Sequence, residues 1–155
     1  KHLNGLWLEG QKYFQSTVQM PLQAKDDLPV FLQTEGWLRR YFAGEKPGIL
    51  ELPLLPQGSP FRQSVWRLLC AIPYGEVTTY GAIAQKIAAQ TGKESMSGQA
   101  VGGAVGHNPI SIIIPCHRVV GTNGSLTGYA GGIETKAALL RHEGVDLSHL
   151  FSSKK

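Results

Sequence analysis

Two side chains with reactive chemistry are adjacent in the last third of the chain. Cys116 follows Pro115, and His117 comes directly after it. A free thiol has a pKa of about 8.5 and is only slightly ionised at neutral pH, so a nucleophilic cysteine needs a base or a cation beside it. His117 is a candidate for that base. The plainer alternative is that Cys116 is a small buried hydrophobic residue.

A second cysteine and one acidic residue complete the candidates for this chemistry. Cys70 lies midway along an apolar helical pattern, and we interpret it as part of the core. Glu143 stands at the end of a predicted helix, where the helix dipole favours cations over anions. That mismatch indicates another role for the carboxylate, such as assisting His117. The sequence alone does not place Glu143 beside His117.

Composition narrows the classes of protein. The 155 residues suit one compact unit, or one domain with a smaller appendage. The net charge of +4 suits a polyanionic partner, although many enzymes share such an excess. Two cysteines without a Cys-x-x-Cys pair argue against a disulfide framework and a structural zinc. The apolar stretch 112–114 is too short to cross a bilayer, and we expect a soluble intracellular protein without a membrane partner.

The N-terminal part alternates between extended and helical patterns. Gly5–Leu8 predicts a strand, and the spacing of apolar residues predicts a helix over Leu28–Phe42. Asp27 stands where a helix N-cap belongs, and Gly44 stands where a helix stop belongs. Prolines and a glycine then mark a linker, with the boundary placed near Pro56.

Three short helices are predicted after the linker. The first has an apolar face over residues 61–72, and the second is capped by Thr78 or Thr79 and stops at Gly92. The third runs from Ser97 to Val105 and is rich in Gly and Ala. Short helices with tight turns favour a helix-turn-helix, with the third helix in the recognition position.

The elements around the reactive cysteine follow. Residues 111–114 predict a buried strand, with Cys116 just beyond its end. Asn123-Gly124 is typical of a hairpin turn. The glycines of loop 128–132 allow the backbone to approach a ligand closely. A last helix is predicted from Glu134 to His142, and the tail Phe151–Lys155 is expected to fray.

Six ordered sequence blocks resemble the O6-alkylguanine-DNA alkyltransferases, a family of methylated-DNA–protein-cysteine methyltransferases. The resemblance covers residues 61–147. The blocks are Gly75-Glu76-Val77 with Tyr80, Ala100 to Ala104, Asn108-Pro109, Ile114 to Val120, Tyr129 to Gly132, and His142-Glu143-Gly144. A five-residue match alone arises by chance at roughly one in a few million positions, so six blocks in order make coincidence negligible.

The resemblance implies a DNA repair protein that acts once per molecule. In that family the cysteine displaces the alkyl group from guanine O6 and keeps it as a stable thioether. Carried over by position, Cys116 is the acceptor, His117 is a base acting through a water, and Glu143 orients His117. Asn108 is expected to brace the turn before the active-site segment. Tyr80 is expected to donate a proton to the leaving guanine and to crowd the 3′ phosphate.

The resemblance also implies base flipping, because the modified base cannot be reached inside a duplex. The expected pocket wall is Leu126, Tyr129, Ala130 and Gly131. The expected DNA contacts, made in the minor groove, are Thr79, Tyr80, Gln99, Ala100, Gly102 and Gly103. Many relatives have Ser at the position of Ala130. Many also have an arginine that replaces the flipped base where this chain has Gln99, which lacks the charge and the planar fork.

The resulting prediction is an α/β fold with two parts. A small N-terminal α/β domain of ribonuclease-H-like type, shortened at its start, is expected over residues 1–56. A mainly helical, winged-helix-like domain for DNA binding and catalysis is expected over residues 57–155. The expected partner is double-stranded DNA with alkylated bases, bound by a cytoplasmic monomer that uses no cofactor and no metal.

Two other classes of function remain as alternatives. One is a lesion-binding protein without chemistry, like the alkyltransferase-like proteins, which lack the cysteine in this motif. The other is a Cys-His hydrolase, which shares the nucleophile and base, turns over, needs an oxyanion hole and has no use for a helix-turn-helix. The choice among methyl, larger alkyl groups and O4-alkylthymine stays open.

Overall fold

The computed structural model describes residues 2–126 and 128–150, so the predicted frayed tail lies outside the described residues. The architecture mixes helix and sheet. Its elements are α1 (Pro29–Phe42), α2 (Pro60–Cys70), β1 (Thr78–Thr79), α3 (Tyr80–Thr91), α4 (Gly98–Gly106), β2 (Val119–Val120) and α5 (Ile133–His142), with short 3-10 turns at Ile49–Glu51, Cys116–Arg118 and Leu147–His149. The two strands pair in parallel. Within the described ranges, every helix is too short or too polar to cross a membrane.

Helix α1 confirms the N-terminal helix, but the predicted cap is wrong. The helix begins at Pro29, and Leu28 rather than Asp27 occupies the N-cap position without a side-chain hydrogen bond. Proline suits the first helical position because its missing N–H would have had no helical partner there. The helix ends at Phe42, and Gly44 beyond it has a φ of 91°.

The strand predicted over Gly5–Leu8 is wrong, because this segment pairs through isolated bridges only. Leu6 bridges Ile110 in parallel. The Leu6 N–H donates to the carbonyl of Pro109 at 2.7 Å, and the Ser111 N–H donates to the carbonyl of Leu6 at 2.8 Å. The N-terminal segment is therefore tied to the backbone just before the active-site turn.

The three helices after the linker are confirmed, and Thr79 is the cap of the second, as predicted. Ser59, Thr79 and Ser97 each accept a hydrogen bond from the N–H three residues further along, at 3.2, 3.0 and 3.1 Å. The first helix ends at Cys70, two residues before the end of the predicted face at residue 72. Helices α2 and α4 pack together, and the buried indole of Trp66 donates to the carbonyl of Ala104 at 2.9 Å.

The buried strand predicted over Ser111–Ile114 is wrong, although its burial is confirmed. The segment folds into tight turns: Ile112 has a φ of 71°, and the Ile114 N–H donates to the carbonyl of Ile110 at 3.1 Å. An apolar run of this length does not discriminate between a strand and a buried turn, since both hide the same side chains. These turns lead directly to the 3-10 turn Cys116–Arg118.

The remaining elements agree with the predictions. The predicted turn at Asn123-Gly124 forms, with a φ of 91° at Gly124 and a hydrogen bond from its N–H to the carbonyl of Gly121 at 2.8 Å. The last helix begins at Ile133, one residue earlier than predicted. One hydrophobic core contains buried residues from both sides of residue 56, including Trp37 of α1. The division of the chain near residue 56 stays a prediction.

Candidate active site

Cys116 opens the 3-10 turn, and its side chain is 5% exposed. The Asn108 amide Nδ2 donates a hydrogen bond to the sulfur at 3.2 Å. Burial raises the pKa of the Cys116 thiol, while the bond from Asn108 and the charge of Lys136 partly offset that rise. The resting sulfur is therefore a neutral thiol that needs a base when it reacts.

Asn108 also fixes the turns that lead to the cysteine. Its Nδ2 donates to the carbonyl of Ile114 at 2.8 Å, and its Oδ1 accepts from the N–H of Ile110 at 3.0 Å. The side chain is buried and follows the end of α4. This placement fits the predicted bracing role. The direct contact with the sulfur was not part of that prediction.

His117 and Glu143 form a buried pair. The Nε2–H of His117 donates to Oε2 of Glu143 at 2.7 Å, and both side chains are 0% exposed. Burial lowers the pKa of His117, and its bond to Glu143 opposes that effect without cancelling it. A neutral imidazole that donates from Nε2 carries a lone pair on Nδ1. That Nδ1 is buried and has no hydrogen-bond partner among the described residues, so it is the nitrogen available as a base.

Glu143 receives further donors. Arg118 bonds both carboxylate oxygens, with Nε 2.8 Å from Oε1 and Nη2 3.1 Å from Oε2. The Tyr41 hydroxyl donates to Oε2 at 2.5 Å, and the Gly75 N–H donates to Oε1 at 3.2 Å. Burial acts to raise the pKa of Glu143, but the bonds from His117, Arg118 and Tyr41 outweigh it and lower the pKa to about 2. Glu143 is therefore an anion at neutral pH.

Tyr80 begins α3 and lies within electrostatic range of Cys116. Burial, followed by repulsion from Cys116 in its ionised form, raises the pKa of Tyr80 to about 12, so the phenol keeps its proton at neutral pH. A Cβ built on Gly128, which has a φ of 94°, would lie 2.6 Å from the Tyr80 hydroxyl. Glycine at this position therefore lets the loop pass close to the phenol.

Lys136 of α5 is fully buried in the same region. Its Nζ lies 5.8 Å from the centre of the Tyr80 ring. Burial lowers the pKa of Lys136 to about 8, and attraction to Cys116 in its ionised form acts in the opposite direction. Sequence reasoning missed this residue, because a lysine within a helix resembles a solvent-exposed one.

The predicted pocket residues are only partly brought together. Tyr129 is 8% exposed, and its buried hydroxyl has no partner within the described ranges. Tyr129 and Ala130 line a cavity of about 450 Å³ shared with Gly102 and Gly103 of α4. Leu126 packs instead in a small hydrophobic cluster. That cluster also contains Val120 and Leu140.

Two further contacts border this cavity, and sequence reasoning did not anticipate them. A Cβ on Gly131 would lie 2.8 Å from the ring of Tyr129, so only glycine fits there without displacement. The Lys12 N–H donates to the carbonyl of Ala130 at 3.1 Å, which brings the N-terminal segment to the rim.

The predicted DNA-contacting residues cluster at the beginnings of α3 and α4. Thr79 caps α3, directly before Tyr80. Gln99 and Ala100 lie exposed in the first turn of α4, and Gly103 is exposed one turn later. Within residues 2–126 and 128–150, no three His, Cys, Asp or Glu side chains meet as metal ligands.

Comparisons with known proteins agree on one family. Residues 60–145 match the family described as 6-O-methylguanine DNA methyltransferase, DNA binding domain. A methylated-DNA–protein-cysteine methyltransferase of Haemophilus influenzae is 47% identical over 119 residues, which are 77% of this chain and 64% of that protein. A protein of the same name from Methanosarcina acetivorans is 42% identical over 141 residues, covering 88% of this chain and 86% of that protein. The chain thus spans less than two thirds of the Haemophilus relative.

A solved structure agrees with these sequence matches. The crystal structure of Mycobacterium tuberculosis OGT in complex with DNA has a TM-score of 0.65 and 47% identity to this chain. The match covers 77% of this chain and 69% of that one. At this identity and score, the fold around the site is shared by both proteins.

Ionisation of Glu143 makes stability depend on pH. Its folded pKa of about 2 lies below its ordinary value of 4.5, so its contribution is complete above about pH 5 and is lost as the pH falls toward 2. We expect the wild type to lose about 3 kcal/mol of unfolding free energy over this window beyond what Glu143→Gln loses. Urea denaturation at a series of pH values measures the difference.

The matched control is Glu76→Gln, because Glu76 is exposed. We expect Glu76→Gln to follow the wild-type dependence on pH. Parallel curves for the wild type and Glu143→Gln would show that the carboxylate is not held as an anion.

Proposed function

Because the chain belongs to the 6-O-methylguanine DNA methyltransferase family, we propose that it repairs DNA by moving an alkyl group from guanine O6 onto Cys116. One observation carries the proposal. The buried thiol lies against Asn108, and the next residue, His117, has its Nε2 bonded to a carboxylate and its Nδ1 unpartnered by any described residue. This is the arrangement of a nucleophile with an oriented base.

The transfer step balances with the groups in the site. His117 takes the thiol proton through a bridging water, and the Glu143 carboxylate stabilises the resulting imidazolium. The sulfur of Cys116 forms a bond to the alkyl carbon as the bond from that carbon to O6 breaks. Tyr80 donates its proton to the departing guanine, which suits a phenol that is still protonated at neutral pH. The thioether is stable, so each molecule reacts once.

The substrate reaches the thiol as a flipped base. The cavity of about 450 Å³ lies between loop 128–132 and α4, and it is large enough for a nucleobase. We assign the recognition role to the exposed first turn of α4, which carries Gln99 and Ala100. The net charge of +4 favours association with phosphates. The Mycobacterium tuberculosis relative crystallised with DNA supports this assignment.

Several finer statements belong to the same proposal. Approach from the minor groove is supported by the small side chains at Ala100, Gly102 and Gly103, which leave room for a sugar-phosphate wall. Action as a monomer, a cytoplasmic location and a ribonuclease-H-like N-terminal domain rest on the family resemblance. The described residues before Pro56 form α1, a 3-10 turn and isolated bridges.

The acceptor assignment predicts a covalent product on one peptide. After incubation with a duplex carrying O6-methylguanine, we expect mass spectrometry to find one added methyl group on the peptide containing Cys116. Cys116→Ala removes the acceptor and abolishes the adduct. Cys70→Ala is the matched control and retains it, because Cys70 lies in α2, where burial raises the pKa of its thiol.

The alternatives give different results in the same experiment. Lesion binding without an adduct would indicate a recognition protein without chemistry. Repeated turnover of a substrate would indicate a hydrolase. A methyl group on Cys70 would overturn the assignment of Cys116.

An arginine at position 99 is expected to raise the affinity for lesion-containing DNA. Gln99→Arg adds a planar, charged side chain at the exposed start of α4, where it can fill the space of the flipped base. We expect Gln99→Arg to bind lesion-containing duplex about 3–30-fold more tightly, which corresponds to about 0.7–2 kcal/mol. Fluorescence anisotropy with intact and lesion-containing duplexes measures the effect.

The control for added charge is Gln90→Arg, at an exposed position near the other end of α3. Extra charge alone strengthens binding to both duplexes equally. Equal gains for the two arginine variants on both duplexes would contradict a role for residue 99 in stabilising the flipped state.

A further inference from the structure

Helix α1 contributes one residue directly to the carboxylate of Glu143. The Tyr41 hydroxyl donates to Oε2 of Glu143 at 2.5 Å, and the same oxygen accepts from Nε2 of His117 at 2.7 Å. Tyr41 is 1% exposed and lies outside residues 60–145, which match the family's DNA-binding domain. The N-terminal part thus reaches the proton-transfer pair itself.

Packing on two sides aims the phenol at the carboxylate. The Tyr41 ring stacks on Trp37 with centroids 5.8 Å apart and meets the edge of Tyr74 at 5.9 Å. Its backbone carbonyl bonds Nε2 of His142 at 2.8 Å, which joins α1 to the end of α5. The hydroxyl is therefore held where the two helices meet.

Three donors on one carboxylate oxygen, from Tyr41, His117 and Arg118, compete for its negative charge. Each hydrogen bond neutralises part of the anion, so the bond from Tyr41 weakens the attraction of Glu143 for a positive charge on His117. A histidine that is less attracted to its carboxylate is neutral over a wider range of pH. Only the neutral ring offers a lone pair on Nδ1 to take up the thiol proton.

We propose that Tyr41 is a positioning residue for alkyl transfer, whose O–H···Oε2 bond holds Glu143 and keeps His117 a neutral base at physiological pH. This inference rests on the proposed function, since the base acts in that reaction. It extends the active site into α1. This role also accounts for the position of a core tyrosine's hydroxyl against a buried anion.

Removing the Tyr41 hydroxyl is expected to raise the pKa of His117. Arg118, Lys136 and Cys116 also face the His117–Glu143 pair. Tyr74 and His142 pack around Tyr41. All of these groups remain in a Tyr41→Phe variant. With one donor fewer, Glu143 attracts the imidazolium more strongly, and the pKa of His117 rises. Deprotonation of the thiol then requires a higher pH.

The test is the pH dependence of alkyl transfer in a single turnover. For Tyr41→Phe we expect the acid limb to move up by about 0.5–1 pH unit, which lowers the rate there about 3–10-fold, with the high-pH plateau retained. The matched control is Tyr74→Phe, which removes a hydroxyl from the same aromatic cluster that is not among the hydrogen-bond donors to Glu143. We expect its profile to overlay that of the wild type.

A second readout does not depend on activity. Nitrogen NMR titration of His117 in each protein reports its pKa, and we expect a rise in Tyr41→Phe alone. Coincident titrations in the wild type, Tyr41→Phe and Tyr74→Phe would overturn the inference, whatever the rates. Absence of any methyl adduct in the wild type would instead overturn the proposed function, while the titration still decides the role of Tyr41.

A gentler change serves if Tyr41→Phe does not fold. Fluorotyrosine placed at position 41 keeps the ring and makes the phenol a stronger donor. We expect it to lower the pKa of His117 and to move the acid limb to lower pH, opposite to the effect of Phe. An unchanged titration would count against Tyr41 as a positioning residue.

Discussion

The structure around the reactive thiol depends on one buried anion. A carboxylate removed from water costs several kcal/mol unless hydrogen bonds replace its hydration. Five donor contacts to Glu143 meet that need within the described chain: Tyr41 from α1, Gly75 before β1, His117 through its ring, and Arg118 twice. Because they converge from separate elements on one side chain at the end of α5, the carboxylate fixes where α1, the 3-10 turn and α5 meet.

This arrangement suits a sulfur that reacts once. The buried thiol of Cys116 rests in its neutral form, beside a neutral His117 and near Lys136, whose pKa burial lowers to about 8. In the proposed reaction the thiol proton shifts to Nδ1, and the Glu143 anion stabilises the resulting positive charge as the sulfur attacks. After transfer the sulfur can no longer ionise.

Local signals made part of this predictable. Apolar spacing and the Thr79 cap act within a few residues, so the three helices follow from the sequence. Glu143 was identified through an unfavourable position at a helix end. Tyr41 gave no such signal, since a buried aromatic residue in an amphipathic helix looks the same whether or not its hydroxyl meets a carboxylate 102 residues away. The strand prediction for residues 111–114 was wrong because the burial of this segment is set by tertiary packing.

The central claim is that the buried Glu143 anion fixes the proton of His117 on Nε2 and leaves Nδ1 as the base. Nitrogen NMR of His117 in the wild-type protein at neutral pH tests this most directly, because protonated and bare ring nitrogens have well-separated chemical shifts. The structure predicts one proton on Nε2 and a bare Nδ1. A proton on Nδ1, whether in the other neutral tautomer or in an imidazolium, would contradict it.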